Sequence, residues 1–241
     1  MIVDAHIHVW SPDRDRYPYA PGFSPADPWL PSFTPDDHQR WSAAVGEPMR
    51  INLIQITWYG LDHSYIIDLI DSDPERYVGT GIIPAVTDAG LGSPDRTMLD
   101  LAARGVRAFR IRGRSAQPAF GQRERWLDQE GYERMFATAS EHGLVLSFLI
   151  GPADLDELDR MCERFPEAPV VIDHVGGVRV RDGVVDAAGL EAVIGLARHP
   201  KVYVKLGPIH ALSDGPAPFA DTLPLLQAVI AAYGADRCMW E

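Results

Sequence analysis

Two short stretches carry residue types able to do chemistry. The first is Asp4-Ala5-His6-Ile7-His8. In an extended strand, residues i and i+2 face one side, so His6 and His8 point together. Two imidazoles held this way suit a divalent metal or proton transfer near neutral pH. A structural pair in a polar turn is the plainer alternative. The second stretch is Val170-Val171-Ile172-Asp173-His174-Val175-Gly176-Gly177. There an apolar run ends in a carboxylate and an imidazole, followed by two glycines that allow a tight backbone turn. An Asp173 turn cap beside a core histidine is the alternative at that position.

An arginine-rich group comprises Arg104, Arg107, Arg110, Arg112 and Arg114. Alternation along Val106–Arg112 places Arg110 and Arg112 on one face. Guanidinium forks bind carboxylates bidentately, which makes this pair a candidate for holding an anionic substrate. Tyr59, Lys205 and His210 lie at or beyond other strand ends and are further candidate substrate contacts. Lys205 is equally readable as an interior lysine paired with an acid. His38, His63, His142 and His199 fall in helical or turn patterns and read as surface or capping residues. The Gly-x-Ser-x-Gly nucleophile motif is missing.

Short β-branched runs position these residues: Ile2–Ile7, Ile51–Thr57, Tyr77–Pro84, Val106–Ile111, Leu144–Ile150, Val170–Asp173 and Val202–Leu206. Most are nearly continuous in apolar character, as strands covered on both faces should be. Helical stripes alternate with them. Tyr132, Met135, Phe136 and Ala139 follow i, i+3, i+4, i+7 spacing and end at Gly143. Leu155, Leu158, Cys162 and Phe165 form another stripe, stopped by Pro166. Alternating strands and helices predict a parallel sheet with right-handed crossovers. Seven such units, with an eighth strand beginning near Arg237–Trp240, give the rhythm of an α/β protein of the (β/α)8 TIM-barrel type. In such a barrel, strand C-termini gather the functional residues at one mouth. The reading has one domain over residues 1–241, C-terminally incomplete, with the eighth strand cut and the eighth helix absent. Strands one and seven would then keep unpaired edges. Ser11–Pro35 is too long and proline-rich for a minimal connection and reads as a loop covering the mouth.

Composition narrows the function. The chain has 241 residues, 46% hydrophobic and 23% charged, and 22 Lys+Arg against 34 Asp+Glu give a formal net charge of −12. That balance disfavours nucleic acid and anionic lipid as partners and leaves a small molecule. The two cysteines, Cys162 and Cys238, form no metal-ligand spacing. Together with the absence of a signal-peptide pattern or a long apolar run, they point to a reduced, cytoplasmic chain.

DAHIHVW, LIQITWYGLDHSYIIDLI, GVRAFRIR, VVIDHVGG, VYVKLGPIH and ADRCMWE occur in this order along nearly the whole chain. With these segments the sequence resembles the amidohydrolase superfamily, in its 2-pyrone-4,6-dicarboxylate lactonase-like and L-fuconolactonase-like branch. The resemblance implies a distorted barrel that hydrolyses a lactone, with His6, His8 and His174 as catalytic histidines. It implies either no cofactor or one divalent cation, Zn or Mn, at His6 and His8. Relatives continue beyond Met-Trp with a segment carrying a catalytic Asp. Here the text is Met239-Trp240-Glu241, so the chain as written is expected to be weak or inactive unless it is a fragment of a longer gene product. Two other readings stand beside the lactonase: a metal-dependent decarboxylase or C–C hydrolase of the same superfamily, and a catalytically impaired barrel or binding module.

Overall fold

The computed structural model describes residues 2–47, 49–84, 93–116 and 124–241. Eight parallel strands form one sheet in the order β1 (Ile2–Ile7), β2 (Met49–Ile54), β3 (Tyr77–Ile82), β4 (Val106–Arg112), β5 (Val145–Leu149), β6 (Val170–Ile172), β9 (Val202–Lys205) and β10 (Cys238–Met239). The remaining pair, β7 (Val180–Arg181) and β8 (Val184–Val185), is a small antiparallel hairpin outside the sheet. Ile51, Leu53, Phe109, Leu146, Phe148, Val170 and Ile172 are all fully buried. Helices lie between successive strands, among them α1 (Pro35–Trp41), α2 (Ser64–Ser72), α3 (Pro94–Ala102), α4 (Glu130–His142), α5 (Leu155–Arg164) and α6 (Ala187–Gly195). A short α7 (Ile209–Leu212) follows β9, and α8 (Leu223–Tyr233) precedes β10. This is the TIM-type α/β barrel that the strand–helix rhythm predicts.

The seam of the barrel corrects one expectation. β10 is two residues long, but it pairs with β9 through Cys238–Val204 and Met239–Lys205. The backbone N–H of Ala5 in β1 then donates to Trp240 O at 3.2 Å. The seventh barrel strand is therefore paired, and β1 reaches the far side of the seam through this bond. The barrel is nearly closed.

Residues 11–34 form a pinned loop. Trp10 and Phe33 exchange both backbone hydrogen bonds at its base, at 2.8 and 3.0 Å. Its near side is held by Ser11 N–H donating to the Tyr59 hydroxyl at 2.8 Å and by Ala20 N–H donating to Trp58 O at 2.8 Å. Further along, the Tyr17 hydroxyl donates to Asp68 at 2.7 Å. The loop thus packs over the C-terminal end of β2, on the side of the barrel where the site lies. Thr34 then starts α1 with a capping box shared with Asp37.

Two histidines depart from the surface reading. His38 on α1 is 8% exposed and His63 is 6% exposed. His63 Nδ1 faces Leu61 O at 2.8 Å, and its Nε2 accepts the Ile82 N–H at 3.1 Å, fastening the start of α2 to the end of β3.

Candidate active site

β1 supplies the centre of the site, and its register explains how. Asp4 pairs with Ile51 and Ile7 with Leu53, so three steps on β1 match two on β2. The irregularity reverses the strict alternation of faces. The Asp4 carboxylate meets His38 of the helix layer, whereas His6 turns inward to Arg110, Lys205 and Glu241. His6 and His8 converge as their spacing predicts, with Nε2 atoms 3.3 Å apart. The His6 and His174 ring centroids are 4.9 Å apart.

His174 is delivered by a strained turn. It has φ 53° and ψ 47°, and Val175 follows with φ 51°. Left-handed backbone is costly for any L-residue and most of all for a β-branched one, of order 1–3 kcal/mol each. The turn is held because the next residue is glycine: a Cβ on Gly176 would sit 3.0 Å from Val193 Cγ2 and 3.2 Å from Leu155 Cδ2.

Glu241 ties the histidines together, and sequence reasoning missed it. Its side chain is 2% exposed. One carboxylate oxygen lies 2.6 Å from His174 Nδ1 and the other 2.8 Å from His6 Nδ1. Burial acts to raise the Glu241 pKa, but hydrogen bonds from His174 and His6 hold it below the usual carboxylate range. The signal available in the sequence was Gly207: a Cβ there would approach Glu241 Cγ to 2.9 Å. A side-chain-free position on the neighbouring strand marks a close approach.

The partners fix the tautomers. The Arg110 guanidinium donates to His6 Nε2 at 3.3 Å, which puts the His6 proton on Nδ1, 2.8 Å from Glu241; Lys205 Nζ, 3.3 Å from the same Nδ1, then makes no hydrogen bond with it. His8 directs Nδ1–H at Ile54 O at 2.9 Å. His174 directs Nδ1–H at Glu241 and at Gly207 O, the latter at 3.0 Å. His8 and His174 thus keep a bare Nε2 lone pair, whereas that of His6 accepts from Arg110. Burial drives the pKa of His6 down to about 2, against the raising effect of Glu241. Burial and then the Arg110 charge drive His8 down to about 4. Both rings are neutral at pH 7.

Beneath them lies a charged floor. Asp173, fully buried, faces Lys205 Nζ at 2.9 Å and Arg110 at 3.1 Å, and accepts a hydrogen bond from Ser147 at 2.9 Å. Burial acts to raise the Asp173 pKa, but the Lys205 and Arg110 charges hold it down at about 2. Lys205 is therefore committed to an acid inside the barrel. Arg112 donates to Thr57 Oγ1 at 2.6 Å. It lines, with Arg110, Ile83, Tyr132 and Met135, a cavity of about 220 Å³ that meets the histidine cluster through Arg110. Two candidate contacts fall outside this cluster. Tyr59 is buried against the 11–34 loop, with its hydroxyl bonded to Ser11, and His210 is exposed on α7 with its ring near Phe219.

The donor set suits one divalent cation. The Nε2 atoms of His6 and His8, 3.3 Å apart, match the spacing of two nitrogens that each bind one zinc at about 2.0–2.1 Å, and a cation there would take the place of the Arg110 hydrogen bond on His6. His6, His174 and Glu241 also bring one ligand atom each within 4.8 Å of one another.

The amidohydrolase family model matches residues 3–241. This chain belongs to the amidohydrolase family. A curated relative, 4-sulfomuconolactone hydrolase of Rhizobium radiobacter, is 26% identical over 98% of this chain and 73% of its own length. Among solved structures, a Pseudomonas putida protein provisionally named 2-pyrone-4,6-dicarboxylic acid hydrolase superposes with a TM-score of 0.74. It is 24% identical over 99% of this chain and 80% of that one. A zinc-bound amidohydrolase of Burkholderia multivorans has a TM-score of 0.71 and 18% identity over 100% of this chain and 83% of its own. No helix of this amidohydrolase, among the described residues, is long and apolar enough to cross a membrane.

Proposed function

We propose that this amidohydrolase opens the lactone ring of a small anionic substrate, carboxylated or sulfonated, by attack of water. One observation carries the reading: His6, His8 and His174 converge, with the Nε2 lone pairs of His8 and His174 free and with His6 and His174 backed by the single carboxylate of Glu241. The names of the 4-sulfomuconolactone and pyrone-dicarboxylate relatives support the substrate class.

The roles follow from the geometry. Arg110 is the donor that already points at the histidine cluster, and it stabilises charge developing on the lactone carbonyl oxygen. His174 is the more exposed imidazole, with 24% of its side chain accessible against 8% for His6. Its Nε2 takes the proton from the attacking water, while Glu241 fixes the tautomer and stabilises the imidazolium. The tetrahedral intermediate collapses with cleavage of the ring C–O bond. The leaving oxygen receives the proton from His174, and the product is the ring-opened acid. Arg112 orients the substrate's anionic group from the adjoining cavity. A divalent cation, when bound, would be held by His6 and His8 and would supply Lewis-acid polarisation of the carbonyl.

The test is direct. Purified protein is offered 4-sulfomuconolactone, 2-pyrone-4,6-dicarboxylate and neutral lactones, with ring opening followed by ultraviolet absorbance and acid release. The expected result is turnover of the anionic lactones, lost in the His174→Asn variant. Turnover of neutral lactones alone, or activity retained without His174, would reject the assignment. Repeating the assay after chelation, with Zn²⁺ or Mn²⁺ restored, decides whether the cation is required.

A further inference from the structure

A buried Asp–His pair lies behind the catalytic strand. Asp4 and His38 are 5% and 8% exposed, and His38 Nε2 lies 2.9 Å from Asp4 Oδ2. The other Asp4 oxygen accepts the backbone N–H of His6 at 3.0 Å. His38 Nδ1 is buried without a partner, so the ring's hydrogen bonding is spent on Asp4.

The contacts are arranged in series. His38 stands on α1, whose start is fixed by the Thr34–Asp37 capping box and by Pro35. Its N–H holds the Asp4 carboxylate, and that carboxylate holds the peptide of His6. The peptide lies within the register irregularity between Asp4 and Ile7 that turns His6 inward, away from the face on which Asp4 sits. An irregular peptide lacks the full ladder of strand hydrogen bonds, and a local side-chain acceptor can take their place. His6 must in turn meet Glu241 and Arg110 from opposite ring nitrogens, a demand that a small rotation of its backbone would break.

We propose that Asp4 and His38 are positioning residues: they set the backbone at His6 so that its ring engages Glu241 and Arg110 together. This assignment rests on His6 belonging to the lactone-opening site. Neither residue touches the substrate cavity, so their loss acts on turnover and not on substrate binding. A displacement of about 1 Å at a catalytic group costs up to roughly 100-fold in rate.

The test uses three variants of the full chain. His38→Phe keeps a ring but removes the N–H, His38→Gln keeps a donor toward Asp4, and Asp4→Ala removes the acceptor for His6 N–H while leaving α1 intact. Steady-state kinetics are measured on whichever lactone the wild type opens, and histidine side-chain ¹H–¹⁵N spectra report the His6 tautomer. The expected result is a fall in kcat of at least about 10-fold in His38→Phe and Asp4→Ala, with KM within about 2-fold and displaced His6 resonances. His38→Gln should restore both readouts. Wild-type kcat and unmoved His6 resonances in the folded His38→Phe or Asp4→Ala protein would overturn the proposal, even if the melting temperature fell. If the wild type opens no lactone, the functional reading fails, and the His6 resonances alone decide this one.

Discussion

At the scale of single residues, the site is a competition among buried charges that only a fixed geometry settles. Asp173 has two cations against it and no exposed surface. Replacing it by Asn leaves Lys205 and Arg110 buried with their main counter-charge gone. We expect Asp173→Asn to destabilise the fold by roughly 3–5 kcal/mol, read by urea unfolding; a loss under 1 kcal/mol would show that the cations find other partners. Gly207 makes a different prediction. A Cβ there meets Glu241 at both its side chain and its carbonyl oxygen, so Gly207→Ala should lower kcat by roughly 10²-fold by displacing the carboxylate, with melting temperature changed little. Unaltered kcat would mean that Glu241 has no part in turnover. Much of this constellation was legible from residue type and strand position: His6, His8, His174 and Arg110 all announce themselves at strand ends. Glu241 did not. A lone acid after an apolar Met-Trp carries no pattern of its own, and its role arises from contacts with residues 67 or more positions away.

At the scale of elements, apolar β-branched runs located seven of the barrel strands, because burial on both faces leaves a continuous signal, and the eighth followed from the strand–helix rhythm near Arg237–Trp240. The β7–β8 hairpin escaped notice, since two-residue strands bury too little to leave a period. The irregularity in β1 escaped too: alternation alone puts Asp4 and His6 on one face, and only the pairing register shows otherwise. His63 gives this scale its prediction. Burial lowers its pKa below the ordinary value of 6.5, and its Nε2 must stay unprotonated to accept from Ile82. Its pKa is thus lower in the folded than in the unfolded chain. As pH falls below 6.5, the unfolded state takes up the proton first, and stability declines by at most about 1.4 kcal/mol per pH unit for this one group. Denaturant titrations between pH 7.5 and 5 should show this slope reduced in His63→Asn relative to wild type. An unchanged slope would assign the acid sensitivity elsewhere.

At the scale of the whole molecule, a protein with net charge −12 attracts an anion only where cations are gathered locally, a part the proposed function gives to Arg110 and Arg112. The ring of strands that gathers them is strong except at one place. Neighbouring strands share two or more paired residues, whereas β1 meets the opposite side of the seam through Ala5 N–H and Trp240 O. Local opening follows local bonding density. In hydrogen exchange, Ala5 should therefore lose protection well before Leu146, whose N–H is bonded to Pro169 O inside the sheet. Equal protection would show that the seam opens only with the entire barrel. The central claim is that His174 and Glu241 act as one unit in turnover, and a double-mutant cycle in kcat tests it most directly. His174→Asn, Glu241→Gln and the double variant should each lose a similar factor, on the order of 10²–10⁴, because removing either partner disables the pair. Losses that multiply in the double variant would contradict the account.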